Sequence, residues 1–143
     1  GVLWKLIAKK KLALATRRED YLAAIYRLSE KKDSVLVSEL AILVPESPKK
    51  ATAMLRRLAQ QGLLTETSAT TVSLTPAGRE KAVFLIKAHR LWESYLAKAE
   101  LPQESLHEIA DRLEHGTTPE LVDKMNTELK HPKKDPHGKE IPE

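Results

Sequence analysis

The 143-residue chain contains no cysteine, which excludes a disulfide framework, a thiolate zinc site and a thiol nucleophile. Aromatic residues make up only 4%, and no apolar run approaches the ~20 residues that a membrane-spanning helix needs. What is present, 41% hydrophobic and 31% charged residues, is typical of a folded globular chain. The length suits one domain, or a small domain with appendages. The lack of cysteine agrees with a cytoplasmic location.

Positive charge is concentrated in a few places, and the formal net charge is +4. The basic groups are Lys9–Lys11 with Arg17-Arg18, Lys49-Lys50 with Arg56-Arg57, and Lys133-Lys134. Such a balance permits contact with nucleic acid or an anionic membrane but requires neither. Because the sequence begins with Gly1 rather than Met, we expect an excised fragment or a cleaved tag.

Helical periodicity and capping residues predict a mostly helical chain with one small hairpin. Two strands joined across "TSAT" follow the third predicted helix, and the tail after residue 130 reads as irregular. The predicted helices cover residues 19–32, 36–44 with Ser38 as N-cap, Ser47-Pro48 to Gly62, Thr75-Pro76 to Ala99, a helix that includes "HEIADRLEH" and ends at Gly116, and one that begins at Thr118-Pro119.

A helix-turn-helix followed by a two-stranded hairpin is the winged-helix arrangement, in which the second helix of the pair lies in the major groove. That helix is "SPKKATAMLRRLAQQ". Its basic residues would contact phosphates and its first turn would contact base edges. The alternative is an ordinary solvated basic helix face. The candidate DNA-binding residues are Ser47, Lys49, Lys50, Thr52, Arg56 and Arg57.

The segment "HEIADRLEHG" places two imidazoles and two carboxylates within an arc of roughly 100° on one helix face. They are His107, Asp111, Glu114 and His115. The preceding helix carries His89 and Glu93 at the same i, i+4 spacing, so two antiparallel helices would bring both faces together. Oxygen and nitrogen donors suit Mn²⁺, Fe²⁺, Co²⁺, Ni²⁺ or Zn²⁺.

These residues allow two other interpretations. Charged pairs at i, i+4 are common on solvated helices. Paired carboxylates and histidines can also support metal-assisted hydrolysis. Because no nucleophile with its base accompanies them, we do not expect an enzyme.

The first seventeen residues, "GVLWKLIAKKKLALATR", form a basic amphipathic extension with two interpretations. The segment would continue the helix at 19–32 and pack on the domain. Alternatively, it would be the cytoplasmic edge of a membrane protein, with Trp4 at the interface and Lys9–Lys11 just inside. Residue patterns alone leave both open.

Seven motifs in order resemble the metal-dependent transcriptional regulators of the diphtheria toxin repressor and manganese transport regulator family. They are "REDYLAAIYRL", "VSELA", "SPKKATAMLRRLAQQGLL", "VSLTPAGREKA", "AHRLWESYL", "LHEIADRLEH" and "PHGKEIP". The resemblance implies a winged-helix DNA-binding domain at 18–75 and a helical metal-binding and dimerisation domain at 76–130, after an extension at 1–17 and before a tail at 131–143. It also implies a homodimer on a palindromic operator in double-stranded DNA.

The resemblance also implies two metal sites. The primary site would use Asp20, Asp111, Glu114 and His115, and the second would use His89, Glu93 and His107. Ligation by oxygen and nitrogen alone favours Mn²⁺ or Fe²⁺, while Zn²⁺ is able to occupy such a site. Lys49 and Ala53 depart from the family pattern, which places a second proline and a Gln or Glu there. Because the sequence ends at this tail, we expect the chain to lack the SH3-like domain of the longer iron regulators.

Two functions follow from these predictions. The first is a metal-dependent repressor, in which metal bridges the first helix to the dimerisation helices. The second depends on the N-terminal segment, which resembles the cytoplasmic end of manganese, zinc and iron ABC permeases. The chain would then be the cytosolic metal-sensing domain of an inner-membrane transporter, covalently linked to the permease at its N-terminus, with weak or no DNA binding.

Overall fold

The computed structural model of the protein describes residues 2–99 and 102–143, and within them the side chains of all residues except 4–15 and 103. The elements in this part of the chain are α1 (Val2–Ser29), β1 (Val35–Leu36), α2 (Val37–Leu43), α3 (Pro48–Gln60), β2 (Leu64–Glu66), β3 (Thr71–Leu74), α4 (Pro76–Lys98), α5 (Gln103–Leu113), a 3-10 helix (Glu114–Gly116) and α6 (Pro119–Glu128). The predicted fold class, mostly helical with a winged helix-turn-helix, is confirmed.

The chain forms two compact units, and the division between Ala82 and Val83 falls inside α4. The first unit contains α1 to α3 and a three-stranded antiparallel sheet in the order β1-β3-β2. Buried apolar side chains from α1, α3 and the sheet form its core, among them Tyr21, Leu22, Ile25, Leu55, Leu58 and Val72. This core fixes which face of α3 is left exposed.

Three helix starts follow the predicted Ser/Thr-Pro pattern, because a hydroxyl accepts a backbone N–H and proline supplies the first helical φ. Ser47 accepts from Lys50 N at 3.3 Å, and Thr118 accepts from Leu121 N at 3.2 Å. Thr75 Oγ1 accepts from Gly78 N at 3.1 Å. Thus α3, α4 and α6 begin where the sequence predicts.

The start of α4 also requires a glycine. A Cβ on Gly78 would lie 1.8 Å from the backbone oxygen of Leu63. That oxygen accepts the backbone N–H of Thr75, and the Thr75 hydroxyl donates to the Gly62 carbonyl at 2.6 Å. The first turn of α4 is therefore packed directly on the backbone that leads into β2.

Several predictions about elements are wrong in detail. The residue that caps α2 is Leu36, without a side-chain hydrogen bond, so Ser38 is a residue inside the helix and not its N-cap. The residues before α2 form β1, which pairs with β3 through Val35 and Val72. Helix α1 ends at Ser29 rather than at residue 32. The α5 helix ends at Leu113, before the 3-10 helix.

The N-terminal segment continues α1 without a break from Val2, as the helical-extension interpretation predicts. Val2 and Leu3 are exposed. The amphipathic character predicted for residues 1–17 depends mostly on side chains outside the described set. No helix in residues 2–99 and 102–143 combines the length and the apolar composition needed to cross a membrane.

The second unit packs α4, α5 and α6 with the tail. A small apolar cluster holds α4 and α6 together with Ile141 of the tail. The buried guanidinium of Arg90 donates to the Glu140 carbonyl, and Lys134 pairs with Glu140 in an isolated antiparallel bridge. The tail predicted as irregular is therefore folded back onto α4, and this brings its polar residues to the site described next.

Candidate functional site

Helix α4 carries a buried imidazole and a buried carboxylate on one face. His89 and Glu93 are 3% and 2% exposed, and their i, i+4 spacing places His89 Nε2 in contact with Glu93 Oε1. Burial of two ionisable groups costs free energy unless they are paired or bind a cation. These residues form the centre of the candidate site.

Helix α5 adds a second imidazole to this pair. His107 Nδ1 lies 3.2 Å from His89 Nε2 and 3.3 Å from Glu93 Oε1, and the two rings meet edge to face at 4.7 Å between centroids. The convergence of the α4 and α5 faces predicted from the sequence is therefore observed. His107 is the more exposed member, so the group is open on the α5 side.

The other nitrogen of His89 faces carboxylates from the end of α5. His89 Nδ1 lies 3.1 Å from Asp111 Oδ1 and 3.7 Å from Glu114 Oε1. The resemblance assigns Asp111 and Glu114 to the primary site and Glu93 and His107 to the second. Residues of both sites therefore lie beside the same imidazole, the first two at Nδ1 and the other two at Nε2. Glu114 reaches this position from the 3-10 helix, which departs from the regular spacing of α5.

Among the residues that the structure describes, two buried polar atoms of this group make no hydrogen bond: His89 Nδ1 and Glu114 Oε2. The first is close enough to Asp111 for charge attraction, but the two groups are not aligned as donor and acceptor. Buried polar atoms without partners are rare and costly. Their presence among carboxylates and imidazoles is the feature of this structure that best fits a bound cation.

The electrostatics of the metal-free group are dominated by ion pairing. Burial lowers the pKa of His89, but its contacts with Asp111, Glu114 and Glu93 outweigh this and raise the pKa to about 10. Burial raises the pKa of Glu93, and its contacts with His89, His137 and His107 outweigh this and lower the pKa to about 2. Burial raises the pKa of Glu114. A metal must therefore displace a proton from His89.

The tail contributes two residues that sequence reasoning missed. His137 Nδ1 lies 2.7 Å from Glu93 Oε2, and buried Asp135 accepts the backbone N–H groups of His137 and Lys139 at 2.9 and 2.8 Å. The signal was the closely spaced Asp and His in "DPHG", whose Gly138 has φ +80°. Glu93, Asp135 and His137 offer donor atoms within 4.8 Å of one another.

The other predicted ligands are placed as follows. His115 follows Glu114 in the 3-10 helix, with its Nε2 3.9 Å from Glu114 Oε1. Asp20 lies in the first unit, on α1, with an exposed side chain. The roles of both as metal ligands stay predictions. Within the second unit, the sets His89-Glu93-His107 and His89-Asp111-Glu114 each offer donors within 4.8 Å. Oxygen and nitrogen donors of this kind fit Mn²⁺, Fe²⁺ or Zn²⁺.

The candidate DNA-binding residues lie on α3. Its apolar face buries Met54, Leu55 and Leu58 in the core of the first unit. The predicted residues are all exposed, and Ser47 also caps the helix. The opposite face lines an open depression with Pro48, Lys49, Thr52, Ala53, Arg56, Arg57 and Gln60. The structure thus places four cations on the solvent side of one helix.

Family models match almost the whole chain. The model described as "Iron dependent repressor, N-terminal DNA binding domain" matches residues 13–69. The model described as "Iron dependent repressor, metal binding and dimerisation domain" matches residues 75–143. The two matches cover both compact units.

Individual relatives point in the same direction. The chain is 30% identical over 130 residues to the iron-dependent repressor IdeR of Mycobacterium leprae, covering 90% of this chain and 56% of that protein. It is 29% identical over 130 residues to the diphtheria toxin repressor of Corynebacterium diphtheriae, covering 90% of this chain and 58% of that protein. This chain therefore spans little more than half the length of these repressors.

A membrane protein is also similar to part of the chain. A probable metal transport system membrane protein of Chlamydia trachomatis is 42% identical over 71 residues, which are 49% of this chain and 16% of that protein.

Solved structures agree with the repressor relatives. A manganese-dependent transcriptional repressor in complex with manganese has a TM-score of 0.79 and 33% identity, covering 88% of this chain and 58% of that one. ScaR with bound Zn²⁺ has a TM-score of 0.76 and 32% identity, covering 88% and 59%. With both of its units matched by the two family models, the chain belongs to the iron-dependent repressors, a family of metal-dependent DNA-binding transcriptional repressors.

Proposed function

We propose that this chain is a divalent-metal-dependent repressor of metal uptake that binds a palindromic operator as a homodimer. The observation that carries the proposal is the group around His89, in which buried imidazole and carboxylate atoms converge and Glu114 Oε2 makes no hydrogen bond among the described residues. The family models support the DNA-binding and dimerising parts of the proposal.

The residues of the second unit would hold the ion through oxygen and nitrogen atoms alone. His89, Glu93 and His107 form one candidate ligand set, and Asp111 and Glu114 form another with the same imidazole. Asp20 and His115 are retained as ligands predicted from the resemblance. A bound divalent cation would compensate the negative charge of the buried carboxylates of Glu93 and Glu114.

Mn²⁺ or Fe²⁺ is the proposed physiological ion, and Zn²⁺ is able to occupy the same donors. The similar solved structures include a repressor described as manganese-dependent and ScaR with bound Zn²⁺. The pairing of buried His89 and Glu93 keeps the donors in place when no ion is bound.

Helix α3 would enter the major groove. Its exposed cations, Lys49, Lys50, Arg56 and Arg57, would neutralise phosphates, and the first turn with Ser47 and Thr52 would lie against base edges. Ala53 offers a methyl group where a longer side chain could hydrogen-bond a base, so apolar contact with a thymine methyl is the readout open to it.

The test is binding of a labelled duplex from the upstream region of the chain's own gene, with Mn²⁺ and with a chelator, at one fixed salt concentration. Salt is fixed because phosphate contacts make affinity strongly salt-dependent. We expect the unmodified protein to bind this duplex sequence-selectively and only with Mn²⁺. The Asp20→Ala variant should lose this Mn²⁺-dependent binding. Metal-indifferent binding by the unmodified protein would contradict the proposal.

A second candidate function rests on the chlamydial relatives. Two proteins named as probable metal transport system membrane proteins are 42% and 46% identical to about half of this chain. A regulatory domain of a metal permease would use the same ligands and would bind DNA weakly. The repressor relatives cover 90% of the chain, so the first function is favoured. Metal binding without metal-dependent DNA binding would reverse that order.

A further inference from the structure

Glu46 lies in the turn between α2 and α3, directly before the N-cap of α3, and three donor atoms from two residues of α1 contact its carboxylate. Arg17 donates twice, from Nε to Oε2 at 2.8 Å and from Nη2 to Oε1 at 2.9 Å. The Tyr21 hydroxyl donates to Oε1 at 2.5 Å. All three residues belong to the first compact unit. The bidentate contact with Arg17 fixes both the distance and the orientation of the carboxylate.

Arg17 and Tyr21 are spaced i, i+4 on α1, so they lie on one face of the helix, one turn apart. Asp20, the ligand predicted for the first unit, belongs to that turn and is adjacent to Tyr21. Tyr21 is 1% exposed and packed in the core, whereas the Glu46 side chain is 18% exposed. Because Tyr21 is fixed by packing, Glu46 is held to the α1 turn.

On its other side, Glu46 is bonded directly to the residue that starts α3. Ser47 accepts Lys50 N through its hydroxyl and Ala51 N through its carbonyl, at 3.3 and 3.0 Å. Glu46, whose carboxylate is held by α1, and the N-cap residue Ser47 are consecutive in the chain. A small shift of the α1 turn would therefore move the first turn of α3, which carries Lys49 and Lys50.

The contact between Glu46 and α1 keeps its charge over the physiological pH range. Hydrogen bonds from Arg17 and Tyr21 lower the pKa of Glu46 to about 2. The carboxylate consequently keeps its charge well below neutral pH, and the strength of the link does not depend on pH there.

We propose that Glu46 is a positioning residue: through Arg17 and Tyr21 it ties the α1 turn that contains Asp20 to the first turn of α3, and so couples metal binding to DNA affinity. The inference rests on the proposed function, in which Asp20 is a metal ligand. It assigns the coupling to a contact that differs from both the ligands and the DNA-facing residues.

The experiment compares the unmodified protein with Glu46→Ala, Arg17→Ala and a control, Glu39→Ala. Glu39 is an acidic residue of the same unit that is paired with Lys32 at 2.5 Å on the surface. For each protein the readout is the ratio of DNA affinity with Mn²⁺ to DNA affinity with a chelator, at fixed salt. Because a direct effect of losing a charge near DNA is the same with and without Mn²⁺, it cancels in this ratio.

We expect Glu46→Ala and Arg17→Ala to lower this ratio by about fivefold or more, which is the size of a typical coupling. Glu39→Ala should stay within about twofold of the unmodified protein. Combining Arg17→Glu with Glu46→Arg should recover a substantial part of the ratio that each single reversal loses, because the pair is restored with opposite polarity.

Each other outcome counts against a specific claim. An equal loss of affinity with and without Mn²⁺ would make Glu46 merely structural and overturn the inference, as would an unchanged ratio. If circular dichroism shows that Glu46→Ala is unfolded, Glu46→Gln decides instead, since it keeps the size of the side chain and an acceptor for Tyr21. A metal-indifferent unmodified protein would refute the proposed function itself, whatever the variants do.

Discussion

The group around His89 and the exposed face of α3 are both rich in charge, but they use it in opposite ways. His89 and Glu93 are buried, so packing fixes their geometry and solvent screens them little. Lys49 and Arg56 extend from the exposed face of α3, where salt screens their charge and their side chains are free to adapt. The first arrangement discriminates by distance and donor type, whereas the second attracts any polyanion. Changes at the two places should therefore have separable effects.

The largest separation is expected from Glu93→Gln. The change keeps the volume but removes the charge that faces His89, His107 and His137, so Mn²⁺ affinity should fall by about 100-fold or more. Metal titration against a chelating dye measures it. Glu108→Gln is the matched control, because Glu108 lies on the solvent side of α5 and pairs only weakly with Arg112. Equal losses in both variants would remove the distinction between buried and exposed charge.

The next effect is on pH dependence, and only the buried group should show it. The pKa of His89 is raised to about 10 without metal, above the ~6.5 of an unfolded chain. Its contribution to stability is therefore complete below pH 6.5 and is lost as the pH rises towards 10. Metal requires the neutral imidazole, so Mn²⁺ affinity should rise by up to about tenfold per pH unit across this interval.

Calorimetry in buffers of different ionisation enthalpy would measure this proton release on metal binding. A His89→Ala variant provides the comparison and should release fewer protons per ion bound. Proton release that is unchanged in this variant would show that another group carries the linkage.

The α3 face should respond to salt rather than to pH. Removing one cation that is proposed to contact phosphate, in Lys49→Ala or Arg56→Ala, should weaken DNA binding severalfold and reduce the salt slope by about 1. Mn²⁺ affinity without DNA should not change. Lys32→Ala removes a cation elsewhere in the same unit and serves as the control. A salt slope that is identical in all three variants would show that α3 does not contact the phosphates.

The smallest effect is expected on the free energy of unfolding, from a residue that belongs neither to the group around His89 nor to the α3 face. Lys130 follows α6 with φ +61°, a left-handed conformation that costs a non-glycine residue about 1 kcal/mol or more. Lys130→Gly should raise the free energy of unfolding by roughly 0.5 kcal/mol, since the greater flexibility of glycine in the unfolded chain offsets part of the gain. Lys124→Gly inside α6 should lower it by about 1 kcal/mol. Urea denaturation measures both, and the reverse order would refute the assignment of strain.

Features set by neighbouring residues could be predicted from the sequence. The caps at Ser47, Thr75 and Thr118 depend on one hydroxyl and a backbone N–H three residues later, so their dipeptides suffice. The exposed basic face of α3 also follows from local periodicity. The helix pair that brings His89 to His107 could be inferred because the two helices are consecutive in the chain.

What could not be predicted depends on contacts between distant residues. β1 is only two residues long and exists because Val35 pairs with Val72. Asp135 and His137 reach the group around His89 only because the tail folds back against α4, held by Arg90 and Glu140. Neither contact leaves a periodic pattern in the sequence, and the "DPHG" motif alone does not say what it faces.

The all-oxygen-and-nitrogen donor set has a consequence for redox chemistry. Thiolate ligands are oxidised to sulfenic acids and disulfides, and a site built on them loses its metal when oxidants accumulate. Here the candidate donors are imidazoles and carboxylates, the chain has no cysteine, and its two methionines, Met54 and Met125, are both buried. Peroxide therefore finds no thiolate among these candidate donors that it could convert to a sulfenic acid or a disulfide. A manganese-loaded protein should keep its metal affinity in air, without any reductant.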